Sequence, residues 1–286
     1  MSSLVKISVL VPVYRGEKTL EKCLSSIANQ SFGSFEVIVV NDGSPDNSQQ
    51  IINRFAAQHR NFKGIVSTEN RGIMRTLERA FLESQGEYIL IVENDDWLER
   101  DTLRILYQMA LSVNADLVRY DCYWVKNGQR NPMVLSEQTN MLWAKLIKRS
   151  FFEKLNIGDL PSINNHNDTL ITKLMVYFQP TTTYLPMNLY NYTVRPGSTS
   201  RTIDYKYFMD TIAFYDYLTT KYQEWGIYDE QLPLIEDWLN KQLPWVKKKT
   251  HRVQPGVMEL LLQFYQEVAE DLLEAKRNIK TTSPQR

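Results

Sequence analysis

The feature that most constrains this chain is an apolar run that stops abruptly in carboxylates. Residues 88–92 are large and uncharged and show no polar alternation, which is typical of a strand buried on both faces of a parallel sheet. Glu93, Asp95 and Asp96 follow within four positions. Such carboxylates repel one another unless a cation lies among them, and hard divalent cations prefer carboxylate oxygens. The stretch therefore predicts either a metal–nucleotide site at a strand end or an acidic turn capping a helix that begins near Glu99.

The alternation of apolar strand and amphipathic helix recurs through the first third of the chain. Buried strands are predicted at residues 6–14, 35–40, 64–67 and 88–92. Helices with one apolar stripe are predicted between them, at residues 20–27, 51–55 and 73–81. Gly86 follows the third helix and is predicted to be its C′ glycine. This alternation with short loops is typical of an α/β fold, in which helices cover both faces of a mostly parallel sheet.

After the acidic turn the pattern is less regular. Helices are predicted at residues 103–110, 141–155 and 169–178, and strands at 115–125 and 184–195. Asn127 and Gly128 are predicted to form a hairpin turn. In the helix at 141–155, we expect the basic side chains to point outward; these are Lys145, Lys148 and Arg149. Three long helices, at 207–222, 228–246 and 257–277, are predicted to form a helical C-terminal appendage.

Composition narrows the kinds of site that this chain can hold. Its 286 residues are 43% hydrophobic, which is enough for a sizeable core, and Lys+Arg equals Asp+Glu at 33, so charge does not favour a nucleic-acid partner. Cys23 and Cys122 are too few for a disulfide framework or a tetrahedral zinc site, and we expect both to be buried thiols. We see neither a signal-peptide pattern nor a run of about 18 apolar residues, and therefore expect a cytoplasmic protein.

Three predicted strands end in acidic or turn residues whose order and spacing resemble a known family. These segments are Val11-Pro12-Val13-Tyr14, Val40-Asn41-Asp42-Gly43-Ser44 and Glu93-Asn94-Asp95-Asp96-Trp97. Together they resemble the family 2 glycosyltransferases, which have the GT-A fold, over roughly residues 5–200. The stretch that begins at Trp143, and the spacing of Tyr190, Tyr192 and Arg195, are also similar to segments of that family.

The resemblance implies a metal-dependent, inverting glycosyltransferase with a nucleotide-sugar donor, most simply a UDP-sugar, across the strand ends. Asp42 would contact the base, Asp95 would hold Mn²⁺ or Mg²⁺ on the diphosphate, and Asp168 would be the catalytic base. The full predicted donor site comprises Pro12, Tyr14, Asp42, Gly72, Glu93, Asn94 and Asp95. The predicted metal ligands are Asp95 and Asp96. The acceptor would be a hydroxyl of a glycan, a glycoconjugate or a lipid-linked glycan in polysaccharide biosynthesis.

The chain departs from the family pattern at several positions. These are Arg15 in place of Asn, Glu93 in place of the first Asp, Leu77 and Glu78 in place of an Arg-Asn pair, and Asn167 in place of the Glu before the base. The departures leave open a catalytically weak or inactive GT-A subunit that binds nucleotide or a partner protein. A nucleotidyltransferase is disfavoured, because residues 12–17 contain a single glycine rather than a Gly-rich phosphate loop.

Several site residues have a plainer interpretation. Asp42 is also a common turn former, Asp168 would cap a helix, and His166 is a lone histidine in an exposed loop. Arg195 and Arg201 could close over the phosphates, since Arg suits phosphate geometry.

The resemblance also gives the domain organisation. A GT-A domain is expected over 1–203, with a nucleotide half of about 1–98 and an acceptor half of about 99–203, followed by a helical region over 204–286. The basic run at 247–249 beside Trp245 could touch anionic lipid at the inner face of the membrane, or could be a solvated helix end. A homodimer face could form from aromatic residues of the helical region, namely Tyr215, Tyr217, Tyr222, Trp225, Trp238 and Trp245.

Overall fold

The computed structural model describes residues 5–136, 139–194, 203–248, 253–254 and 256–282. Its contacts divide the chain into two compact units. The first unit comprises Met1–Ser162 and Asn167–Pro196, and the second comprises Ile163–His166 and Gly197–Arg286. The second unit therefore contains the predicted helical region together with a four-residue stretch from the loop that precedes Asp168.

The first part of this unit, which is the predicted nucleotide half, consists of parallel strands with helices between them. Its strands are β1 (Ile7–Val13), β2 (Phe35–Asn41), β3 (Phe62–Val66) and β4 (Tyr88–Ile91), and its helices are α1 (Leu20–Ala28), α2 (Ser48–Gln58) and α3 (Ile73–Leu82). The strands pair in the order β3-β2-β1-β4, and every pair is parallel. All residues of β1 and β4 are buried, as their continuous apolar runs predict.

The acceptor half extends the same sheet with strands of both directions. Its elements are β5 (Trp97–Leu98), α4 (Thr102–Ser112), β6 (Leu117–Lys126), β7 (Gln129–Met133), β8 (Lys145–Lys148), α5 (Arg149–Phe152), α6 (Asn167–Tyr177) and β9 (Thr182–Thr193). The sheet continues from β4 in the order β8-β6-β9-β5, and β7 pairs with β6. Strand β8 is antiparallel to both β4 and β6, whereas β9 is parallel to β6. The predicted α/β fold with helices flanking the sheet is confirmed, and its parallel order is interrupted at β8.

The single helix predicted at 141–155 is wrong. A 3₁₀ turn at Leu142–Ala144 leads into strand β8, which is followed by the short helix α5 and a second 3₁₀ turn at Glu153–Leu155. Lys145, expected to point outward, is only 4% exposed. A short apolar run fits the period of a strand as well as that of a helix, and here the pairing of β8 with two neighbouring strands decides between them.

The predicted role of Gly86 as a C′ glycine is also wrong. Helix α3 ends before Glu83, and Gly86 is not among the residues with positive φ. Its backbone instead lies against β1, because a Cβ atom at Gly86 would come within 2.5 Å of the amide nitrogen of Ser8. Glycine is needed here for close approach of two backbone segments, and not for a left-handed conformation.

The hairpin turn predicted at Asn127 and Gly128 is confirmed. It joins the antiparallel strands β6 and β7, and both turn residues have positive φ, at 50° and 78°. This pair of conformations is that of a type I′ turn, in which Asn-Gly is favoured. Both cysteines are free and buried, as expected.

The second unit contains three long helices. They are α7 (Tyr205–Glu224), α8 (Tyr228–Lys248) and α9 (Val257–Thr282), which confirms the helical character predicted for this region. Tyr215, Tyr222 and Trp238 are buried inside the unit, so these three side chains cannot form the dimer face expected of them. Within the described ranges, no helix is long and apolar enough to cross a membrane.

Candidate functional site

The ends of β1 and β4 lie together because these strands are neighbours in the sheet. Beyond these ends, the Asn94 side-chain amide donates to the carbonyl of Tyr14 over 3.4 Å. A Cβ atom on Gly16 would lie 3.1 Å from the same amide nitrogen, so glycine leaves room for this contact. The Tyr14 ring is 41% exposed, and the Arg15 guanidinium lies 5.2 Å from its centre. The structure thus brings together Tyr14 and Asn94, two of the predicted donor-site residues.

Asp42, at the end of β2, organises the loop that precedes α3. Its carboxylate is only 4% exposed and accepts the backbone N–H groups of Arg71 over 2.8 Å and of Gly72 over 2.9 Å. A Cβ atom on Gly43 would collide with the backbone of Glu69, which shows how closely the two loops approach. Asp42 therefore does more than form a local turn, because its carboxylate binds the backbone of a loop about 30 residues away. This contact brings Asp42 and Gly72 together in one site.

An open cavity of about 220 Å³ lies beside Asp42. Its lining consists of Asp42, Ser67, Arg71, Arg75, Thr76, Glu78, Arg79 and Leu82. Three arginines make this lining electropositive, and Arg75 pairs with Glu78 over 3.1 Å. Glu78 is one of the positions that depart from the family pattern, and here its carboxylate fixes an arginine of the cavity wall.

Negative charges from distant parts of the sequence act on one another after β4. The pKa of Glu93 is raised well above its usual value, first by burial and then by the negative charges of Asp168, Asp95 and Asp96. Asp168, on α6, is therefore near enough to the acidic turn for its charge to act there, and these four carboxyl groups are called the acidic cluster.

Asp96 is held from both sides by protein donors. It is 1% exposed; its Oδ2 accepts the hydroxyl of Tyr190 over 2.9 Å, and its Oδ1 accepts the amide of Thr193 over 2.7 Å. The Tyr190 hydroxyl also accepts the amide of Glu93 over 3.1 Å. Tyr190 therefore connects β9 to both ends of the acidic turn.

The sequence pattern gives Tyr190 no role of its own; only its spacing from Tyr192 resembles a segment of the family. The indole of Trp143 stacks on both rings, with centre-to-centre distances of 4.4 Å to Tyr190 and 5.3 Å to Tyr192. Residues two apart on a strand share a face, so the Tyr-x-Tyr spacing was the available signal.

Asp168 lies in the first turn of α6, which begins at Asn167. Its Oδ2 accepts the amide of Leu142 over 3.2 Å. Burial raises the pKa of Asp168, whereas the Leu142 hydrogen bond and the charge of Lys145 lower it. A half-buried carboxyl group with a raised pKa that also binds the amide of a distant segment does more than the simple helix cap of the plainer interpretation.

The sequence suggested that His166 lies in an exposed loop, but the structure packs its ring against other side chains. Its ring packs against Tyr207 and Phe214 within the second unit, at 5.0 Å and 5.4 Å between ring centres. Its Nε2 lies 3.1 Å from the hydroxyl of Thr211, and burial lowers its pKa to about 4. This is a packed, neutral histidine. Arg195 and Arg201, which were expected to close over phosphates, lie outside the described residues.

The carboxylates fit a metal that arrives with a diphosphate better than one held by protein alone. In the part of the chain that the structure describes, no group of three or more His, Cys, Asp or Glu side chains could hold a metal ion. Asp95 is partly exposed, whereas both oxygens of Asp96 already accept protein hydrogen bonds. Mg²⁺ commonly uses one or two carboxylates and completes its shell with substrate phosphates and water, which is the donor set that Asp95 offers.

Comparison with known proteins identifies the family. The family model for glycosyl transferase family 2 matches residues 8–203. The glycosyltransferase GlyA of Streptococcus pneumoniae is 30% identical in an alignment 225 residues long that covers 68% of this chain and 32% of GlyA. EpsH of Bacillus subtilis, a putative glycosyltransferase, is 25% identical in an alignment 232 residues long that covers 73% of this chain and 67% of EpsH. The chain thus spans about a third of the length of GlyA.

Solved structures share the fold. Staphylococcus aureus TarS 1-349 in complex with UDP superposes with a TM-score of 0.62 and 20% identity, covering 98% of this chain and 93% of TarS 1-349. The mannosyltransferase PcManGT of Pyrobaculum calidifontis, in complex with GDP-Man and Mn²⁺, gives a TM-score of 0.57 and 18% identity, covering 77% of this chain and 64% of PcManGT. Since the family match spans more than half of the chain and contains every predicted site residue, the chain belongs to glycosyl transferase family 2.

Proposed function

We propose that this glycosyltransferase moves a sugar from a UDP-sugar to a hydroxyl of a glycan or glycoconjugate, with a divalent metal and inversion at the anomeric carbon. The observation that carries the proposal is the set of contacts beyond the end of β4: Asp168 accepts the amide of Leu142, and the next residue, Trp143, stacks on Tyr190, whose hydroxyl contacts Asp96 and the amide of Glu93. Ligands of open α/β sheets bind at such strand ends. TarS, with which the chain shares its fold, is known in complexes with UDP and with UDP-GlcNAc, which favours a uridine donor.

In this proposal the donor is held by the nucleotide half. The base would lie in the cavity beside Asp42 and Gly72, and the ribose would lie near Glu93 and Asn94. Asp95 would bind Mn²⁺ or Mg²⁺ together with the diphosphate, and such an ion supplies Lewis acidity that offsets the charge on the leaving group. Asp96 would position this turn instead of binding the metal, since Tyr190 and Thr193 occupy its oxygens.

Asp168 would act as the general base. The acceptor oxygen would form its bond to the anomeric carbon as the bond from that carbon to the diphosphate oxygen breaks. The hydroxyl proton would pass to Asp168, whose raised pKa makes it a stronger base than an ordinary aspartate. A single displacement of this kind inverts the anomeric centre and needs no covalent intermediate.

The setting of the reaction is also proposed. Relatives include poly(ribitol-phosphate) glycosyltransferases, so a role in building a cell-surface polymer is a reasonable expectation. Peripheral membrane contact through the basic end of α8, on a cytoplasmic protein, stays a prediction. Lys247 and Lys248 are exposed there, and residues 249–252 lie outside the described residues.

The first test is calorimetric titration of UDP and of GDP, with and without Mn²⁺, into the wild type, Asp95→Ala and Asp229→Ala. Asp229 is an exposed aspartate in the first turn of α8 and serves as the matched control. We expect Mn²⁺-dependent UDP binding that weakens at least about tenfold in Asp95→Ala, since one metal ligand is lost. The Asp229→Ala variant should match the wild type.

Three other outcomes are informative. Metal-dependent binding of GDP in place of UDP would change the donor class and keep the metal role of Asp95. Tight UDP binding without any release of UDP from UDP-sugars would favour the inactive subunit. The absence of metal-dependent binding of either nucleotide would contradict the proposed enzyme.

A further inference from the structure

A lysine that the proposed chemistry does not use lies buried beside the acidic cluster. Lys145 is on β8, between β4 and β6, and is only 4% exposed. Its ammonium donates to the carbonyl of Thr139 over 2.8 Å and to the carbonyl of Met141 over 2.7 Å. A buried ammonium loses its hydration, so its presence requires compensation by hydrogen bonds and by an opposite charge.

The segment that Lys145 holds is the one that contacts Asp168. The next residue after Met141 is Leu142, whose amide donates to Asp168 Oδ2 over 3.2 Å. The side chain of Asn140 accepts the hydroxyl of Thr172, one turn further along α6, over 3.2 Å. Residues 139–142 therefore form a bridge from the ammonium on β8 to the helix that carries the proposed base.

The charges of Lys145 and Asp168 stabilise each other. The carboxylate raises the pKa of Lys145 and the ammonium lowers the pKa of Asp168, although burial acts in the opposite direction on both and brings the pKa of Lys145 to about 7. Two further charged groups interact with this pair. The charge of Arg119, which lies opposite Lys145 in the β6–β8 pairing, disfavours the ammonium form of Lys145. The charge of Asp168 disfavours the ionised form of Glu93.

Packing alone does not explain a lysine at this position. The residues on either side of it in the chain, Ala144 and Leu146, are fully buried, so an apolar side chain would suit this position at lower desolvation cost. What an apolar side chain cannot supply is the pair of donors to Thr139 and Met141 and the positive charge near Asp168. Those two contributions point to a role at the site.

We propose that Lys145 is a positioning residue for sugar transfer. Its ammonium fixes residues 139–142, so that the Leu142 amide orients the Asp168 carboxylate, and its charge favours the anionic form that accepts the proton. This inference rests on the proposed role of Asp168 as the base. Lys145 itself touches neither donor nor acceptor in this proposal.

The test compares Lys145→Gln and Lys145→Met with Lys148→Gln and Lys145→Arg. Glutamine keeps a hydrogen-bond donor without charge, methionine removes both, and arginine restores the charge. Lys148 is the control on the same strand; its ammonium donates to Asn114 over 3.1 Å, away from the acidic cluster. The reaction is Mn²⁺-dependent release of UDP from UDP-GlcNAc or UDP-glucose with water as acceptor, measured from pH 5 to 9 together with the affinity for UDP and Mn²⁺.

We expect kcat to fall about 10- to 100-fold in the Gln and Met variants, which is the effect usual for groups that orient a reactive group. UDP affinity should change by less than about threefold, because the donor half is untouched. The acidic limb of the kcat–pH profile should move up by about one unit, since loss of a nearby positive charge raises the pKa of a carboxyl group. In Lys145→Arg the limb should stay near its wild-type position.

A folded Gln or Met variant with wild-type kcat and an unmoved acidic limb would overturn the inference. So would equal loss of kcat and UDP affinity, because that pattern indicates general damage. Lys145→Gln and Lys145→Met differ in polarity, so if one of them does not fold, the other still tests whether Lys145 positions Asp168. Asp168→Asn is measured in parallel. If that variant still releases UDP, the proposed function is refuted. If it does not, but the Lys145 variants release UDP at the wild-type rate, only this inference is refuted.

Discussion

The two halves of the α/β unit are stabilised in different ways. Before the acidic turn, Asp42 is the buried charged side chain among the described residues, and the core of β1–β4 consists mostly of apolar side chains. The acceptor half instead buries several charged groups, namely Arg119, Asp121, Lys145 and Lys173. The nucleotide half is thus a nearly apolar scaffold made of local strand–helix repeats. The acceptor half depends on polar contacts between segments that are distant in sequence.

The polar contacts of the acceptor half each fix a loop near the site. Asp121 accepts the amide of Leu135 over 2.9 Å and the hydroxyl of Tyr184 over 2.6 Å. Arg119 donates to the carbonyl of Ser136 over 3.1 Å. Buried polar groups are costly when partly satisfied and specify one arrangement when fully satisfied. These contacts therefore hold the segments around residues 135 and 136 in one arrangement against β6.

The largest effect is expected from Asp168→Asn. In the proposed function the nucleotide half binds the donor and Asp168, in the acceptor half, accepts the proton, so this variant should lose about 10²- to 10⁴-fold in kcat. UDP and Mn²⁺ should bind as they do to the wild type. The measurements are UDP release from UDP-GlcNAc with Mn²⁺ and calorimetric titration of UDP.

Asp159→Asn is the control for this prediction, since Asp159 is an exposed aspartate in a 3₁₀ turn of the same unit. If Asp168→Asn were to lose UDP affinity as strongly as kcat, the division of labour between the halves would be wrong. Retained activity would remove Asp168 from the role of base.

A steric substitution in the nucleotide half should have the next largest effect. In Gly86→Ala the new methyl group would meet the amide nitrogen and side-chain oxygen of Ser8 at 2.5 Å and 2.6 Å, within the paired backbone of β1 and β4. A rigid scaffold cannot yield there, so we expect a loss of about 2–3 kcal/mol in unfolding free energy. Urea denaturation measures it, with Gly33→Ala as control, since nothing lies within 4 Å of a Cβ at Gly33. Equal stability of the two variants would mean that β1 and β4 separate easily.

Gly86 also shows what the sequence could and could not reveal. Its place after α3 suggested a helix terminus, but the reason for glycine is contact with a strand that lies far away in the sequence. Strands β1, β2 and β4 and the first three helices were predictable because each has its own local pattern, a continuous apolar run in the strands and one apolar stripe in the helices. Strand β8 was not, because Lys145–Lys148 is short and only its pairing with β4 and β6 identifies it.

The residues of the site were likewise predictable where a local pattern marks them. Asp42, Glu93 and Asp95 stand at strand ends that the sequence itself located, whereas the role predicted for Asp168 came from the resemblance to a family. Neither route gave a role to Tyr190, whose hydroxyl contacts Asp96 and the amide of Glu93. Contacts between residues far apart in the chain leave no periodic signal, and most of the acceptor half consists of such contacts.

A smaller effect should come from a single hydroxyl in the acceptor half. Tyr184→Phe removes one of the two donors to Asp121, and the carboxylate is then partly unsatisfied in a buried place. We expect a loss of about 1–2 kcal/mol in unfolding free energy. The control is Tyr123→Phe on β6, whose ring packs under the Arg130 guanidinium at 4.1 Å. Equal stability of the two variants would show that polar contacts do not hold this half together.

The smallest effect is expected at the hairpin between β6 and β7. Gly128 has φ at 78°, and nothing lies within 4 Å of a Cβ built there, so the cost of Gly128→Ala is purely that of the left-handed backbone. That cost is about 1 kcal/mol for an L-residue. Urea denaturation of Gly128→Ala beside Gly33→Ala isolates it, because the control also adds a methyl group in open space but has no positive φ. A loss as large as that of Gly86→Ala would mean that the hairpin sets the register of β6. In that case the acceptor half would depend on one local turn, and its contrast with the nucleotide half would disappear.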